Sequence, residues 1–170
     1  MRKWLFVIVI AFIVSCSSID CPVNNVVATR YKFYSPEGVS LVLKDTLTVT
    51  SKDKDGQEIL LLNRSVDKSS FELPVSYSHP EDILVFNVYN QTVSIFDTVW
   101  VKKDDIPHFE SVDCNASFFH RLTDVRYTHH FIDSIVIKNP SVDYEKTTIH
   151  FYVYPKLRSE ERRVGKECRS

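Results

Sequence analysis

Apolar and polar residues alternate with a period of two along most of the chain, as in strands buried on one side. Turn-forming residues separate the alternating runs, for example the Ser-Pro-Glu-Gly run at 35–38 and the Asn-Pro pair at 139–140. The predicted strands cover residues 26–34, 39–50, 58–62, 70–75, 82–89, 92–102, 117–120, 128–138 and 147–154. We therefore predict an all-β fold, an antiparallel β-sandwich that is immunoglobulin-like or related to that type.

The run at 92–102 shows the alternation most clearly. One side carries Val93, Ile95, Asp97, Val99 and Val101, and the other carries Ser94, Phe96, Thr98 and Trp100. Neither side is purely polar, so we predict a central strand with a bend near Asp97. The charged residues 102–105, followed by Pro107, indicate a crossover between two halves of the domain.

The first sixteen residues form a different pattern. Arg2 and Lys3 precede an apolar run that ends at Val14, and Ser15 and Cys16 follow it. The run is too short for a permanent membrane span but fits a bacterial export signal. Residues 13–16 resemble a lipobox, which implies that the chain is cut before Cys16 and acylated on it. We predict a signal peptide at 1–15, a lipidated tether at 16–25 and a β-sandwich domain at 26–157.

The last thirteen residues, 158–170, read RSEERRVGKECRS and lack apolar periodicity. They resemble the in-frame translation of a sequencing adapter joined to a truncated gene, so we interpret them as a non-native tail; a genuine basic tail is the alternative. Between residues 16 and 157, 14 basic residues face 19 acidic ones, a net charge of −5. Nucleic-acid binding depends on clustered Lys and Arg, so we predict no nucleic-acid partner.

With Cys16 assigned to lipid and Cys168 to the tail, two of the four cysteines remain, Cys21 and Cys114. In an oxidising compartment two thiols indicate one disulfide, which we predict; two separate buried thiols are the alternative. Neither cysteine has the close partner typical of a zinc site, and we predict no metal ion or cofactor.

Several short motifs together resemble an uncharacterised lipoprotein family of the Bacteroidota. They are Cys-Pro at 21–22, the aromatic strand RYKFY at 30–34, PHFES at 107–111 leading to Cys114, LTD at 122–124 and Asn-Pro at 139–140 after IDSI at 132–135. The resemblance covers residues 16–154, except that Asn-Ala at 115–116 replaces Gly and Phe. It implies an outer-membrane lipoprotein with Cys21 paired to Cys114, and no established activity.

Three acidic-hydroxyl-aliphatic triplets resemble the motif at which exported Bacteroidota proteins receive O-glycans. They place candidate sugars on Thr46, Thr98 and Ser134. A strand-rich chain also contains such triplets at strand starts without modification. Attached sugars would require surface positions.

Other chemical motifs are incomplete. The Asp-Lys-Asp-Gly run at 53–56 resembles half of a calcium loop, but Ser51 and Leu62 stand where an EF-hand needs acidic ligands, so we predict a hairpin turn. Five histidines fall in the second half of the chain, at 108, 120, 129, 130 and 150. His120 and His130 could meet across a hairpin near Asp124 or Asp133. Glycine is too scarce for phosphate-binding loops or a nucleophile elbow.

We therefore expect a non-enzymatic binding or structural module of the cell envelope, which contacts envelope proteins or polysaccharide. Its candidate contact aromatics are Tyr31, Phe33, Tyr34, Tyr77, Tyr89, Trp100, Tyr127, Tyr152 and Tyr154. The alternative is a small envelope hydrolase or metal-binding module that uses Asp113, His120, Asp124 and His130. Only Asp20 is acidic in the tether, and surface display in these bacteria tends to follow an acidic cluster, so we expect the periplasmic face of the outer membrane.

Overall fold

The computed structural model of the chain describes residues 27–52, 55–109, 111, 114 and 117–156. The predicted signal peptide at 1–15, the tether at 16–25 and the tail at 158–170 lie outside these residues. The described residues form ten strands: β1 (Ala28–Phe33), β2 (Thr46–Lys52), β3 (Glu58–Ser65), β4 (Ser70–Pro74), β5 (Glu81–Tyr89), β6 (Ser94–His108), β7 (Ser117–Tyr127), β8 (Ile132–Ile137), β9 (Ser141–Val142) and β10 (Phe151–Pro155). Within the described residues no helix is long and apolar enough to cross a membrane.

The strands form two sheets. One has four strands in the order β4-β1-β10-β8, and the other has six in the order β3-β2-β5-β6-β7-β9. The predicted all-β sandwich is confirmed. One pair departs from the expected antiparallel arrangement, because β1 and β10 run parallel with Tyr31 opposite Phe151. β1 and β10 come first and last in chain order, so no hairpin joins them and forces an antiparallel arrangement.

The core lies where the inner faces of the two sheets meet. Along β1, buried Tyr31 and Phe33 alternate with half-buried residues. The Tyr31 ring stacks between Phe71 at 5.0 Å and Phe151 at 4.7 Å, and Phe86 of the other sheet meets its edge at 6.0 Å. Each such side chain contributes about 1.5–3 kcal/mol on burial. The period of two therefore determines which face of each strand enters the core.

Strand β6 is central in its sheet, as predicted, but it is longer than predicted. It continues to His108 and pairs with β7 along its second half, so the expected crossover at 102–105 is wrong. The pairing with β7 is irregular between Lys102 and Lys103, beyond the bend expected near Asp97. The charged segment can remain in the strand because buried Lys103 lies beside two carboxylates, those of Asp82 and Asp105.

The turn predicted near residue 56 joins β2 to β3. Lys52 pairs with Glu58 across an antiparallel hairpin. Gly56 has a φ of +78°, a conformation that glycine adopts without a steric penalty. The hairpin prediction is thus confirmed for Asp55 and Gly56, whereas Asp53 lies outside the described residues.

Candidate functional site

The structure does not bring together the histidines of the alternative hydrolase or metal site. His120 lies near the start of β7, and His130 lies beyond its end, so about 23 Å of strand separates them. His120 contacts Asp105, whereas His130 contacts Asp97. The two histidines therefore do not meet as this alternative site requires. Among the described residues, no group of three or more His, Cys, Asp or Glu side chains could hold a metal ion; Asp113 lies outside them.

The other histidines occupy separate settings. His150 is buried, and its Nδ1 accepts a hydrogen bond from the backbone N–H of Arg30 at 3.0 Å. Burial lowers the pKa of His150, which favours the neutral ring. His108 stacks on Phe119 at 4.2 Å. His120 and His150 are buried, and His150 directly precedes β10.

Asp97 is a buried carboxylate that holds the segment linking the two sheets. Thr128 Oγ1 donates a hydrogen bond to it at 2.6 Å. The backbone N–H groups of His130, Phe131 and Ile132 donate at 2.8, 2.7 and 2.8 Å. Residues 128–131 connect β7 of the six-stranded sheet to β8 of the four-stranded sheet, so this one side chain anchors the crossover.

The charge state of Asp97 follows from these contacts. Burial acts to raise its pKa, but the hydrogen bonds from Thr128 and from three backbone N–H groups outweigh burial and hold the pKa below the ordinary value. A carboxylate that accepts several N–H bonds is stabilised in its ionised form. Asp97 therefore has a structural role, whereas the sequence alone predicted only a bend near this position. The sign of that role in the sequence was a single acidic residue on the apolar side of the run at 92–102.

A second buried polar group, the Lys103 cluster, consists of Lys103, Asp82, Asp105 and His120. The Lys103 side chain is fully buried, with its Nζ 3.6 Å from Asp105 and 3.8 Å from Asp82. Its ammonium also donates to the carbonyl oxygen of His79. His120 Nδ1 lies 2.7 Å from Asp105. The cluster therefore ties β5, β6 and β7 to the loop before β5.

Burial is the largest cause of the pKa shifts of two members of the Lys103 cluster, Asp82 and His120. Burial raises the pKa of Asp82, and the Lys103 ammonium offsets only part of that effect. Burial lowers the pKa of His120, so its neutral ring donates from Nδ1 to Asp105. A cleft of about 360 Å³ opens beside Asp82, with Ile59 and Leu61 on its wall. The buried charges are compensated by one another, as fold stability requires.

The outer face of the six-stranded sheet carries a patch in which no side chain is charged at neutral pH. Three cross-strand rows on β2, β5 and β6 define it, and we name it the uncharged face. The rows are Thr46, Tyr89 and Ser94; Thr48, Asn87 and Phe96; and Thr50, Val85 and Thr98, with Leu60 of β3 opposite Thr50. Phe96 is 54 % exposed and Leu60 53 %. One quarter of the whole chain is charged, so a patch of ten uncharged positions is a local departure.

An ion pair between Arg126 and Glu81 lies at one end of the uncharged face, beside Trp100. Trp100 lies beside Ile83 and Arg126 in the sheet, and the Arg126 guanidinium lies 5.4 Å from the Trp100 ring centroid. The same guanidinium pairs with Glu81 at 2.8 Å. The cation–π contact and the ion pair fix the Trp100 ring at the edge of the face.

The outer face of the four-stranded sheet carries aromatic and basic side chains instead. We name Lys32, Tyr34, Tyr152, Tyr154, Val136 and Lys138 the tyrosine–lysine face. The rings of Tyr34 and Tyr152 lie 4.4 Å apart, and Tyr154 lies 6.2 Å from Tyr34. A hydrogen bond with Tyr34 raises the pKa of Tyr152, so its hydroxyl stays protonated at neutral pH.

The candidate contact aromatics thus divide into three groups. Tyr31 and Phe33 are buried in the core, so their candidacy as contact residues is wrong. Tyr77 is 67 % exposed and stacks on Phe118, and Tyr127 meets His129 edge to face. The remaining candidates lie on or beside the two outer faces: Tyr89, Trp100, Tyr34, Tyr152 and Tyr154.

The modification sites can be placed only in part. Thr46 and Thr98 lie half-buried on the uncharged face, and Ser134 lies half-buried in β8. Cys114 is within the described residues, whereas Cys16 and Cys21 lie outside them. Lipidation, the Cys21–Cys114 disulfide and the three glycans therefore stay predictions.

A family model described as a family of unknown function (DUF6452) matches residues 46–155. No curated protein and no solved structure matches the chain. The matched residues include Asp97, the Lys103 cluster and all of the uncharged face.

Proposed function

The chain belongs to the DUF6452 family of unknown function, and from its surfaces we propose that it is a non-enzymatic binding module of the cell envelope. Acyl chains on Cys16 hold it at the outer membrane, and it faces the periplasm. The uncharged face binds a neutral polysaccharide. The observation that carries this proposal is the set of exposed aromatic rings on β5 and β6, Tyr89 and Phe96, with hydroxyl side chains beside them.

The chemistry of the uncharged face supports a neutral sugar polymer as the occupant. Thr48, Ser94 and Thr98 carry hydroxyls that both donate and accept hydrogen bonds, as sugar hydroxyls do. Phe96 and Tyr89 offer rings against which the C–H faces of sugars can pack. A charged ligand would favour opposite charges at its contacts, and the three rows contain none.

Replacing Phe96 or Tyr89 with alanine should weaken binding to a neutral polysaccharide by about tenfold each, because an exposed ring at the centre of a contact contributes most of its energy. Retardation of the full chain in native gels that contain dextran or mannan measures this. Tyr77→Ala removes a more exposed ring outside the face and should leave retardation unchanged. Hyaluronan, an anionic polymer, should not retard the chain.

Equal retardation by neutral and anionic polymers, or full retardation of Phe96→Ala, would contradict the sugar assignment. A photo-crosslinker placed at Phe96 in native envelopes distinguishes the other partner class. Capture of a single protein there, instead of a glycan, would mean that the uncharged face is a protein interface. Sugars attached to Thr46 or Thr98 would lie on the same face, so a chain modified there should lose the binding.

The lipid anchor predicts a second result. Labelled palmitate should be incorporated into the chain in its host and should be lost in Cys16→Ala, because acylation needs that thiol. Cys21→Ala, which removes the nearest other cysteine, is the matched control and should keep the label. Incorporation that survives Cys16→Ala would place the lipid elsewhere, and absence of label in the unaltered chain would overturn the anchor.

The predicted disulfide gives this anchor a mechanical consequence. A bond between Cys21 and Cys114 would close a loop of 93 residue steps and hold the tether against the domain. In the chain-entropy model a loop of this size stabilises the folded state by about 4–5 kcal/mol before strain is subtracted. Only residues 17–20 would then separate the lipid from the domain.

A further inference from the structure

The tyrosine–lysine face is one continuous surface, because its residues are neighbours across three strands. Lys32 of β1 lies opposite Tyr152 of β10, which in turn lies opposite Val136 of β8. Tyr154 lies opposite Ser134 in the next row. Val136 is 49 % exposed although it is a large apolar residue in a strand. This surface is on the side of the sandwich away from the uncharged face.

The side chains of this face share an amphipathic chemistry. Lys32 Nζ lies 5.4 Å from the Tyr34 ring centroid, and Lys138 Nζ lies 5.9 Å from that of Tyr152. Tyrosine presents an apolar ring with a polar tip, and lysine presents an apolar stem with a charged end. Such side chains suit the boundary between lipid headgroups and water, where tyrosine is enriched.

The charge of the face is opposite to that of the domain. The charged members of the face, Lys32 and Lys138, are both basic. Next to the face, Arg30 pairs with Glu72 at 2.9 Å and lines a pocket with Asp143 and Glu145. Among the described residues no salt bridge joins Lys32 or Lys138 to a carboxylate. The residues from 16 to 157 carry a net charge of −5, so these cations are concentrated locally.

We propose that the tyrosine–lysine face lies on an anionic phospholipid surface, an inference that rests on the proposed tether at Cys16. The chain from Cys16 to Val27 covers eleven residue steps, which reach at most about 40 Å when extended. Such a tether keeps β1, the first strand, close to the bilayer. Docking by the four-stranded sheet then directs the uncharged face of the other sheet away from the membrane.

The test uses the full chain in bicelles of phosphatidylcholine with or without phosphatidylglycerol, both doped with a spin-labelled lipid. Paramagnetic broadening of backbone amides reports which strands lie near the lipid. We expect broadening in β1, β8 and β10 when phosphatidylglycerol is present, and its reduction by salt. Equal broadening of β2 and β5, or a pattern that ignores phosphatidylglycerol, would overturn the inference.

A matched pair of variants separates this face from the other basic residues of the chain. Lys32→Gln/Lys138→Gln should reduce the phosphatidylglycerol-dependent affinity by roughly tenfold, since each lysine near the surface contributes to binding. Lys52→Gln/Lys68→Gln removes the same charge from exposed positions outside the face and should change it little. Equal losses in both pairs would show attraction by net charge alone and would overturn the docking of this face.

The same measurement distinguishes failure of the tether from failure of the docking face. An acylated chain that stays on the bicelle without broadening in β1, β8 and β10 keeps the anchor and overturns the docking inference. If the chain carries no acyl group yet broadens in those strands, the docking face stands and the proposed anchor is wrong.

Discussion

Replacing Asp97 with alanine should destabilise the folded chain by about 3–5 kcal/mol. The change leaves the buried N–H groups of Phe131 and Ile132 without an acceptor, and each unsatisfied group costs about 1–3 kcal/mol. It also releases Thr128 and the backbone of His130 at the crossover between the sheets. Urea unfolding of the full chain, followed by circular dichroism, measures the loss of free energy.

The isosteric change Asp97→Asn tests the role of the charge. Because the folded pKa of Asp97 lies below the ordinary value near 3.9, its ionisation stabilises the fold fully above that pH. The contribution is lost as the pH falls below about 4 through the lowered folded pKa, so the two chains should converge in stability there. Asp133→Asn alters an exposed carboxylate and should cost little. A constant difference across that range would contradict the stabilising charge.

Replacing Lys103 with methionine should destabilise the fold by a similar amount, about 3–5 kcal/mol. Methionine has a similar length, but it removes the only ammonium of the Lys103 cluster and leaves Asp82 and Asp105 without their cation. Breaking a buried ion pair on one side costs more than replacing the whole pair. Lys102→Met changes the preceding, exposed lysine of the same strand and should alter stability by less than about 0.5 kcal/mol.

A double variant shows whether the cost comes from the unpaired carboxylate. Asp82→Asn combined with Lys103→Met should recover about 1–3 kcal/mol relative to the sum of the single changes, because the two side chains interact directly. Urea midpoints of the four chains complete the cycle. Additive losses would mean that Lys103 acts through packing of its methylene stem and not through its charge.

Period-two alternation predicted most of the strands that pack into the core, but it missed β9 and the part of β7 beyond His120. In β1 the inward positions hold Tyr31 and Phe33, and in β5 they hold Phe86 and Val88, each flanked by half-buried or exposed residues. One face of each strand is buried, so the spacing of apolar residues along the sequence directly reflects the sheet. Pro74 and Pro155 are the last residues of β4 and β10, whereas Pro107 lies inside β6 and faces Phe118 of β7.

The same alternation contained more information about β6 than the prediction used. Positions 97, 99, 101, 103 and 105 continue one side of the strand, and the first four are buried. The charged residues on that side, Asp97 and Lys103, suggested a bend and a crossover because charge usually marks solvent exposure. Asp97 is held by Thr128, 31 residues along the chain, and Lys103 lies between nearby Asp105 and more distant Asp82. The contacts with Thr128 and Asp82 depend on strand pairing that local sequence does not show.

For the candidate surfaces, the sequence indicated which types of residue take part but not which individual residues face outward. Aromatic residues favour strands whether or not they bind anything, so sequence could not distinguish core Tyr31 from outward Tyr152. The register of each strand pair makes that distinction. The histidine site failed for a related reason. The ten residues from His120 to His130 do not form a tight hairpin, because the first seven steps run along β7 and span about 23 Å.

By itself the sequence determined the all-β class, most strand positions and the hairpin at Gly56, because these depend on alternation and on turn chemistry between near neighbours. Only the tertiary structure decided the parallel pairing of β1 with β10, the burial of Asp97 and Lys103, and the two opposite outer faces. Those features depend on which distant strands become neighbours. That choice reflects the packing of two whole sheets, in which every buried charge needs a partner from elsewhere in the chain.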